Sequence, residues 1–195
     1  MLVVGGSGFI GRHLVASLAA AGIRVTVPSR HRERAKHLIL LPTVDVVEAD
    51  VMAPGQLERL CAGKHAVFSL VGILHSRRGR RDERGRNEYG PDFARSHVEL
   101  PQAIVAASRA SGVRRVLHVS ALGASPQAPS EYLRSKAIGE RAVLAADDLD
   151  VTVFRPSVVF GPGGEGFHGL EEYVLGDEVL ACREVLARLA RDFGA

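Results

Sequence analysis

A chain of 195 residues can bury one substantial hydrophobic core, and 46% hydrophobic with 24% charged residues is the composition of an ordinary globular protein. The net charge of only +3 argues against a polycation that binds nucleic acid over its whole surface. No apolar run reaches the roughly 20 residues that cross a bilayer. The sequence opens on a strand and a glycine turn, so no signal peptide is expected. Cys61 and Cys182 form no spacing motif, which predicts a reducing, cytoplasmic setting and no metal site.

Short β-type runs alternate with longer helical ones, which is the pattern of a parallel α/β sheet. The predicted strands are 1–4, 23–27, 44–48, 66–71, 113–119 and 149–154, and the predicted helices are 10–20, 32–40, 54–62, 93–111 and 131–146. Right-handed crossovers then give a doubly wound Rossmann-type sheet of strand order 3-2-1-4-5-6. We expect this domain to span residues 1–162, followed by a helical tail over 163–195.

A glycine turn joins the first predicted strand to the first helix. Gly5 permits the tight turn, Gly8 lets the backbone approach a pyrophosphate, and Gly11 lets the helix pack closely on the strand. The amides and dipole of the helix N-terminus stabilise phosphate charge, so the turn predicts a dinucleotide site. The alternative is a glycine-rich turn without a ligand. The predicted cofactor contacts here are Gly5, Ser7, Gly8, Phe9, Ile10 and Gly11.

The ends of the second and third strands bear on which dinucleotide is bound. Arg30 stands where an acidic residue would hold the ribose hydroxyls of NAD, and it could pair with a 2′-phosphate instead. NADP is therefore favoured, with NAD left open, because Arg30 could also stack on the adenine or point to solvent. Asp50 is placed to accept a hydrogen bond from the adenine amine, or else to serve as a helix cap or loop aspartate.

Tyr132 and Lys136 lie four residues apart on one face of a predicted helix. A nearby ammonium lowers the pKa of a phenol, so the pair predicts a proton donor and acceptor for a carbonyl or alcohol. Ser120 ends the fifth strand and could hold the substrate oxygen, and Lys136 could also bind the nicotinamide ribose. The alternative is a surface tyrosine and lysine on an amphipathic helix.

Together with segments 71–72 and 154–162, these residues resemble the short-chain dehydrogenase/reductase superfamily in its extended or atypical branch, which includes the NAD-dependent epimerases and dehydratases. Segment 132–140 is similar to NAD(P)-binding proteins related to an accessory subunit of respiratory complex I. The resemblance implies a catalytic group of Ser120, Tyr132 and Lys136 and oxidoreductase or epimerase-type hydride chemistry on a carbonyl, alcohol or sugar-like substrate. The remaining predicted cofactor contacts are Val51, Val71, Gly72, Pro156 and Ser157.

The sequence departs from that branch in three ways. The first strand is short, so the start is expected to be clipped. The helix predicted at 93–111 has no asparagine, which this branch often uses in the catalytic group, and His97 within it is expected to be packed or solvated. The chain after residue 162 is too short for a substrate domain, so that domain is expected to be truncated.

The tail carries an amphipathic stripe, which predicts one more helix that docks on the sheet or pairs with a partner helix or a second copy. Its members are Leu175, Val179, Cys182, Leu186, Leu189 and Phe193. The segment 76–86 holds six arginines and could contact an anionic substrate or lipid headgroups peripherally, or be a solvated loop. It has no interleaved aromatic residues for stacking on bases, so no specific nucleic-acid partner is expected.

Three functional hypotheses follow from the sequence. The first is an NADP(H)-dependent oxidoreductase in which Tyr132 is the acid or base. The second is a non-catalytic cofactor-binding protein linked to respiratory or quinone machinery, and the third is an inactive remnant. The Tyr132 and Lys136 pair favours the first, and the missing substrate domain favours the other two.

Overall fold

The computed structural model describes residues 1–77, 79, 89–157 and 159. Six parallel strands form one sheet in the order β3-β2-β1-β4-β5-β6. Their bounds are β1 Leu2–Val4, β2 Val25–Ser29, β3 Val44–Glu48, β4 Ala66–Ser69, β5 Arg115–Val119 and β6 Asp150–Phe154. The predicted doubly wound sheet and its strand order are confirmed. The predicted tail, its stripe and the domain boundary at residue 162 lie outside the described residues, as does most of the arginine-rich segment.

Helices connect the strands and cover both faces of the sheet. Their bounds are α1 Phe9–Ala20, α2 Lys36–Ile39, α3 Gln56–Cys61, α4 Pro91–Phe93, α5 Leu100–Ala110 and α6 Glu131–Leu144. In the described part of the chain, none of them has the length and apolar character that a bilayer crossing requires.

The two faces of the sheet bury separate hydrophobic clusters, because successive side chains of a strand point to opposite faces. Leu2 and Val4 join the cluster that includes residues of α3, α5 and α6, whereas Val3 joins the cluster that includes residues of α1 and α2. All three side chains are fully buried. This explains why the inner strands read as continuous apolar runs rather than as alternating ones.

The second strand begins and ends two residues later than predicted, and it includes Pro28. Proline has no amide hydrogen and is expected to stop a strand inside a sheet. Here Pro28 keeps its register with Val47 of β3, whereas the pairing of β1 with β2 is recorded only at Leu2 and Thr26. The missing amide therefore falls where the β1–β2 ladder has already ended.

The single helix predicted over 32–40 is wrong in detail. A 3₁₀ turn, Arg32–Ala35, is followed by the short α2, and only Ala35 and Leu38 of these two elements are buried. Each of the two elements buries only one residue, so neither gains much from the packing that stabilises most helices in proteins.

The helix predicted over 93–111 begins earlier, at Pro91, and contains a π-helical segment, Ala94–Glu99, between α4 and α5. α6 packs closely against this segment at Gly139. A Cβ atom at Gly139 would lie only 1.8 Å from the carbonyl oxygen of His97, so only glycine allows this approach.

Candidate functional site

The glycine turn brings backbone segments closer together than a side chain at Gly5 or Gly11 would allow. Gly5 has φ +88°, and a Cβ atom there would lie 2.9 Å from the backbone nitrogen of Val71. A Cβ atom at Gly11 would lie 2.3 Å from the carbonyl oxygen of Gly5. Gly8 caps α1 without a side chain, and the first turn of α1 holds no acidic residue. The amides at this helix N-terminus are thus available to an anion, which fits a dinucleotide phosphate.

The ends of β2 and β3 carry the two residues predicted to meet the adenosine half. Arg30 follows β2 directly and is exposed. One oxygen of Asp50 accepts a hydrogen bond from the Met52 amide at 3.0 Å, and the other lies 3.0 Å from an Arg95 guanidinium nitrogen. Asp50 therefore has the contacts of a loop aspartate, with an added ion pair to the π-helical segment.

Tyr132 is half-buried in the first part of α6, among aromatic rings. Its ring centroid lies 5.4 Å from that of His97 and 6.3 Å from that of Phe93. Burial raises the pKa of Tyr132 above its usual value of 10.0. The expected lowering by the Lys136 ammonium is therefore wrong, because the burial of the phenol raises its pKa instead.

Lys136 is 2% exposed, and its ammonium points at the end of β5. Nζ donates a hydrogen bond of 2.6 Å to the carbonyl oxygen of Val119, the residue before Ser120. Burial lowers the pKa of Lys136 from 10.5 to about 8, and the charge of Glu140 acts against this lowering. The interpretation of Lys136 as a surface lysine is thereby excluded.

His97 lies within the π-helical segment and is 1% exposed, so it is packed rather than solvated. Its Nε2 accepts a hydrogen bond from the Ile73 amide at 3.1 Å, which leaves the proton on Nδ1. Nδ1 lies 2.9 Å from the Ser135 hydroxyl, which in turn donates to the carbonyl oxygen of Tyr132 at 2.8 Å. Burial, followed by the charge of Lys136, lowers the pKa of His97 from 6.5 to about 3, so the ring is neutral.

Glu140 lies one turn beyond Lys136 and is 5% exposed. The Arg155 Nε lies 3.0 Å from both of its carboxylate oxygens, and an Arg155 Nη2 also donates to Oε1. This hydrogen bonding lowers the pKa of Glu140, and the Ser120 hydroxyl contributes. Ser120 Oγ is buried and makes no hydrogen bond of ordinary geometry to another described residue, so it lies beside the carboxylate without a well-aligned bond.

His118 lies in β5, two residues before Ser120, and is 1% exposed. Its Nδ1 lies 3.0 Å from the Ser69 hydroxyl on β4, and its Nε2 makes no hydrogen bond among the described residues. Burial, followed by the charge of Lys136, lowers its pKa from 6.5 to about 3, so this ring is also neutral.

The sheet gathers the predicted residues along the carboxyl ends of its strands. The backbone of Val71, after β4, lies against Gly5, and the carbonyl oxygen of Pro156, after β6, accepts a hydrogen bond of 2.8 Å from the Leu122 amide after β5. Gly72 and Ser157 are exposed at this edge. The predicted cofactor and catalytic residues thus share one edge, although their roles stay predictions.

Sequence reasoning missed His118 and Glu140 and gave His97 no role. Two signals were available. His118 and Ser120 are polar residues two apart at the end of an otherwise apolar run, and Glu140 repeats the four-residue step of Tyr132 and Lys136. The contacts of His97 depend on the π-helical segment, which no sequence pattern predicts.

The profile of the NAD(P)H-binding family matches residues 5–171. The chain belongs to this family. The NAD(P)-binding family that the sequence resemblance implied is thereby confirmed, and so is a nicotinamide dinucleotide as the ligand class.

Two relatives illustrate the range of this family. The chain is 35% identical over 188 residues to "Ceramide reductase" of Caulobacter vibrioides, covering 96% of this chain and 55% of the relative. It is 34% identical over 163 residues to "NADH dehydrogenase [ubiquinone] 1 alpha subcomplex subunit 9, mitochondrial" of Mus musculus, covering 82% of this chain and 40% of the relative. The chain spans about half the length of these curated relatives.

Solved structures share the fold. A putative NAD-dependent epimerase/dehydratase from Bacillus halodurans superimposes with a TM-score of 0.69 at 20% identity, covering 99% of this chain and 88% of that one. UDP-glucuronic acid 4-epimerase from Bacillus cereus in complex with NAD superimposes with a TM-score of 0.66 at 18% identity, covering 83% of this chain and 57% of that one. A short-chain dehydrogenase/reductase from Veillonella parvula in complex with NADP superimposes with a TM-score of 0.57 at 24% identity, covering 79% of this chain and 67% of that one. Similar folds therefore hold either dinucleotide.

Proposed function

We propose that this chain is the cofactor-binding and catalytic part of an NADP(H)-dependent oxidoreductase that reduces a carbonyl group or oxidises the matching alcohol. The observation that carries the proposal is the burial of Lys136 against the end of β5, 2.6 Å from the Val119 carbonyl and next to Ser120. A buried ammonium is costly and is characteristic of a functional site. Tyr132, one helical turn earlier on the same face, supplies the acid or base.

The roles of the chain's own residues follow from their surroundings. The raised pKa of Tyr132 keeps its phenol protonated near neutral pH, which suits a proton donor to a carbonyl oxygen. Ser120 binds the same oxygen, and Lys136 binds the nicotinamide ribose and adds positive charge. The cofactor supplies the hydride that the carbonyl carbon accepts, while Tyr132 gives its proton to the oxygen.

Arg30 supports NADP as the preferred cofactor. Its guanidinium is exposed directly after β2, where it can pair with a 2′-phosphate, and no acidic residue precedes it in that strand. Asp50, in the loop after β3, and its neighbour Val51 would contact the adenosine half of the cofactor. Pro156 and Ser157 follow β6 and complete the nicotinamide end, next to Val71 and Gly72 at the end of β4.

The substrate we propose carries its carbonyl on an apolar chain. Leu74, after β4, and Leu122, after β5, are 59% and 63% exposed, and they lie at the same edge of the sheet as Ser120. Exposed leucines beside a polar centre favour a substrate with a substantial apolar part. The relative named for ceramide supports this class. The arginine-rich segment 76–86 would add a peripheral contact to anionic headgroups.

A second candidate is a cofactor-binding subunit without turnover. The similarity to a named subunit of NADH dehydrogenase over 82% of this chain favours it. In that case Lys136 and the glycine turn hold the dinucleotide as a structural element, and the partner is respiratory machinery or a quinone enzyme. Self-association into a homodimer belongs to the same proposal.

One experiment separates the two candidates. Binding of NADPH and NADH is titrated by fluorescence, and oxidation of NADPH is then followed with long-chain and short-chain carbonyl compounds, for the wild type, Tyr132→Phe and the control Tyr89→Phe. We expect binding in all three and a loss of roughly 10²-fold or more in turnover with Tyr132→Phe alone. Binding with no turnover in any of them would establish the second candidate.

A further inference from the structure

Seven polar side chains are buried together behind Tyr132, between the ends of β4 and β5 and the helices that cover them. They are Ser69, His97, His118, Ser120, Ser135, Lys136 and Glu140. Buried polar groups are costly unless they are paired, so such a group in one place needs a reason. Glu140 is the acidic member of this set, and neither the cofactor nor the proton transfer proposed above uses it.

Glu140 connects three elements at this point. It lies four residues after Lys136, so both side chains share the face of α6 that packs on the sheet. Arg155, in the segment after β6, donates hydrogen bonds to both carboxylate oxygens of Glu140. The His118 ring of β5 and the hydroxyl of Ser120, the residue after β5, both help to lower its pKa. The carboxylate therefore stands between Arg155 on one side and Ser120 with Lys136 on the other.

We propose that Glu140 is a positioning residue for the proposed catalytic group: its carboxylate, held by Arg155, supplies the negative charge that the buried Lys136 ammonium needs. The inference rests on the proposed function, because Glu140 acts through Lys136 and touches neither cofactor nor substrate.

The charges around Lys136 determine in which direction the loss of Glu140 changes the pKa of Lys136. Tyr132 and Glu140 face it from α6, His118 from β5 and His97 from the π-helical segment. Both histidines have a pKa of about 3 and are neutral near pH 7, and burial keeps the tyrosine protonated. Glu140 is thus the charged neighbour that favours the ammonium, and its removal lowers the pKa of Lys136 further.

The test compares the wild type with Glu140→Gln, which keeps the shape and removes the charge, and with the exposed control Glu99→Gln. NADPH affinity is measured by fluorescence between about pH 6 and 10. Affinity falls at high pH as Lys136 loses its proton, and we expect this fall to move to lower pH by roughly one unit in Glu140→Gln only. An unmoved fall in Glu140→Gln would overturn the inference.

A second variant separates electrostatics from structural damage. Arg155→Gln removes the competing cation and leaves the Glu140 carboxylate to Lys136, so the fall in affinity should occur at the wild-type pH or higher. A shift to lower pH in both variants would mean that any break in the pair disorders the site, which would also overturn the inference. If Glu140→Gln cannot be purified folded, Arg155→Gln decides alone, and a fall in affinity at lower pH than in the wild type would overturn the inference.

The free protein gives a readout that does not need cofactor binding. The folded pKa of Lys136 lies below its unfolded value, so the free energy of unfolding rises with pH between about 8 and 10.5. In Glu140→Gln the rise should begin at lower pH than in the wild type. If the wild type fails to bind NADPH, the proposed function fails, whereas an identical onset in both proteins means that the inference fails.

Discussion

The His97 ring stands edge-on to the Tyr132 ring, with centroids 5.4 Å apart and planes at 85°. The same imidazole accepts a hydrogen bond from the amide of Ile73, in the segment after β4. It is also linked to the Tyr132 carbonyl oxygen through the Ser135 hydroxyl. One neutral histidine therefore joins the segment after β4, the π-helical segment and α6. The position of the proposed acid depends on it.

We expect His97→Phe to destabilise the protein by about 2–4 kcal/mol, although the ring is of similar size. The substitution leaves the partly buried Ile73 amide and the Ser135 hydroxyl without this partner. Urea denaturation measures the change, and the exposed His65→Phe is the matched control. A cost near zero would mean that both groups find other partners easily.

Stability should fall as the pH drops below about 6.5. His97 and His118 have folded pKa values of about 3 against 6.5 when unfolded, so the unfolded chain binds more protons between these values. Each histidine should contribute a loss of about 1.4 kcal/mol per pH unit inside that window.

Thermal unfolding from pH 7 downward tests this expectation, with His118→Gln as the informative variant. Replacing one of the two buried histidines should remove about half of the slope that they cause. A slope that is unchanged in His118→Gln would show that carboxylates, and not the buried imidazoles, control the acid response.

Gly139→Ala should cost about 3 kcal/mol or more. Its methyl group would lie 1.8 Å from the His97 carbonyl oxygen, a backbone atom that cannot move without shifting the π-helical segment. Gly72→Ala is the control for stability, because a Cβ atom there meets nothing within 4 Å. Equal midpoints of denaturation for the two variants would contradict the close approach of the helices.

Arg30→Asp should exchange the cofactor preference. The carboxylate repels a 2′-phosphate and can bind free ribose hydroxyls, so we expect NADPH to bind at least about tenfold more weakly and NADH equally or better. Fluorescence titration with both dinucleotides measures this, with the exposed Arg34→Asp as control. If both cofactors weaken equally, Arg30 contacts a part that they share, such as the adenine.

The sequence was sufficient for the architecture because β-type and helical periods alternate cleanly and most of the predicted cofactor contacts follow a strand. The bounds of β2 were predicted two residues too early, because Pro28 lies inside this strand and proline normally marks the end of a strand. The pKa direction of Tyr132 could not be predicted, because the four-residue spacing to Lys136 says nothing about burial or about the Val119 carbonyl. The π-helical segment depends on the contact at Gly139, a tertiary effect that has no local signature.

The sheet also divides the molecule in a way that matters for changing it. The turn and helix that would hold the phosphates rest on the cluster with Val3, whereas α5 and α6 rest on the cluster with Leu2 and Val4. Substitutions in the two layers share few partners, so their free-energy costs should simply add. Substitutions that change the cofactor preference at Arg30 should therefore leave the packing behind Tyr132 unchanged.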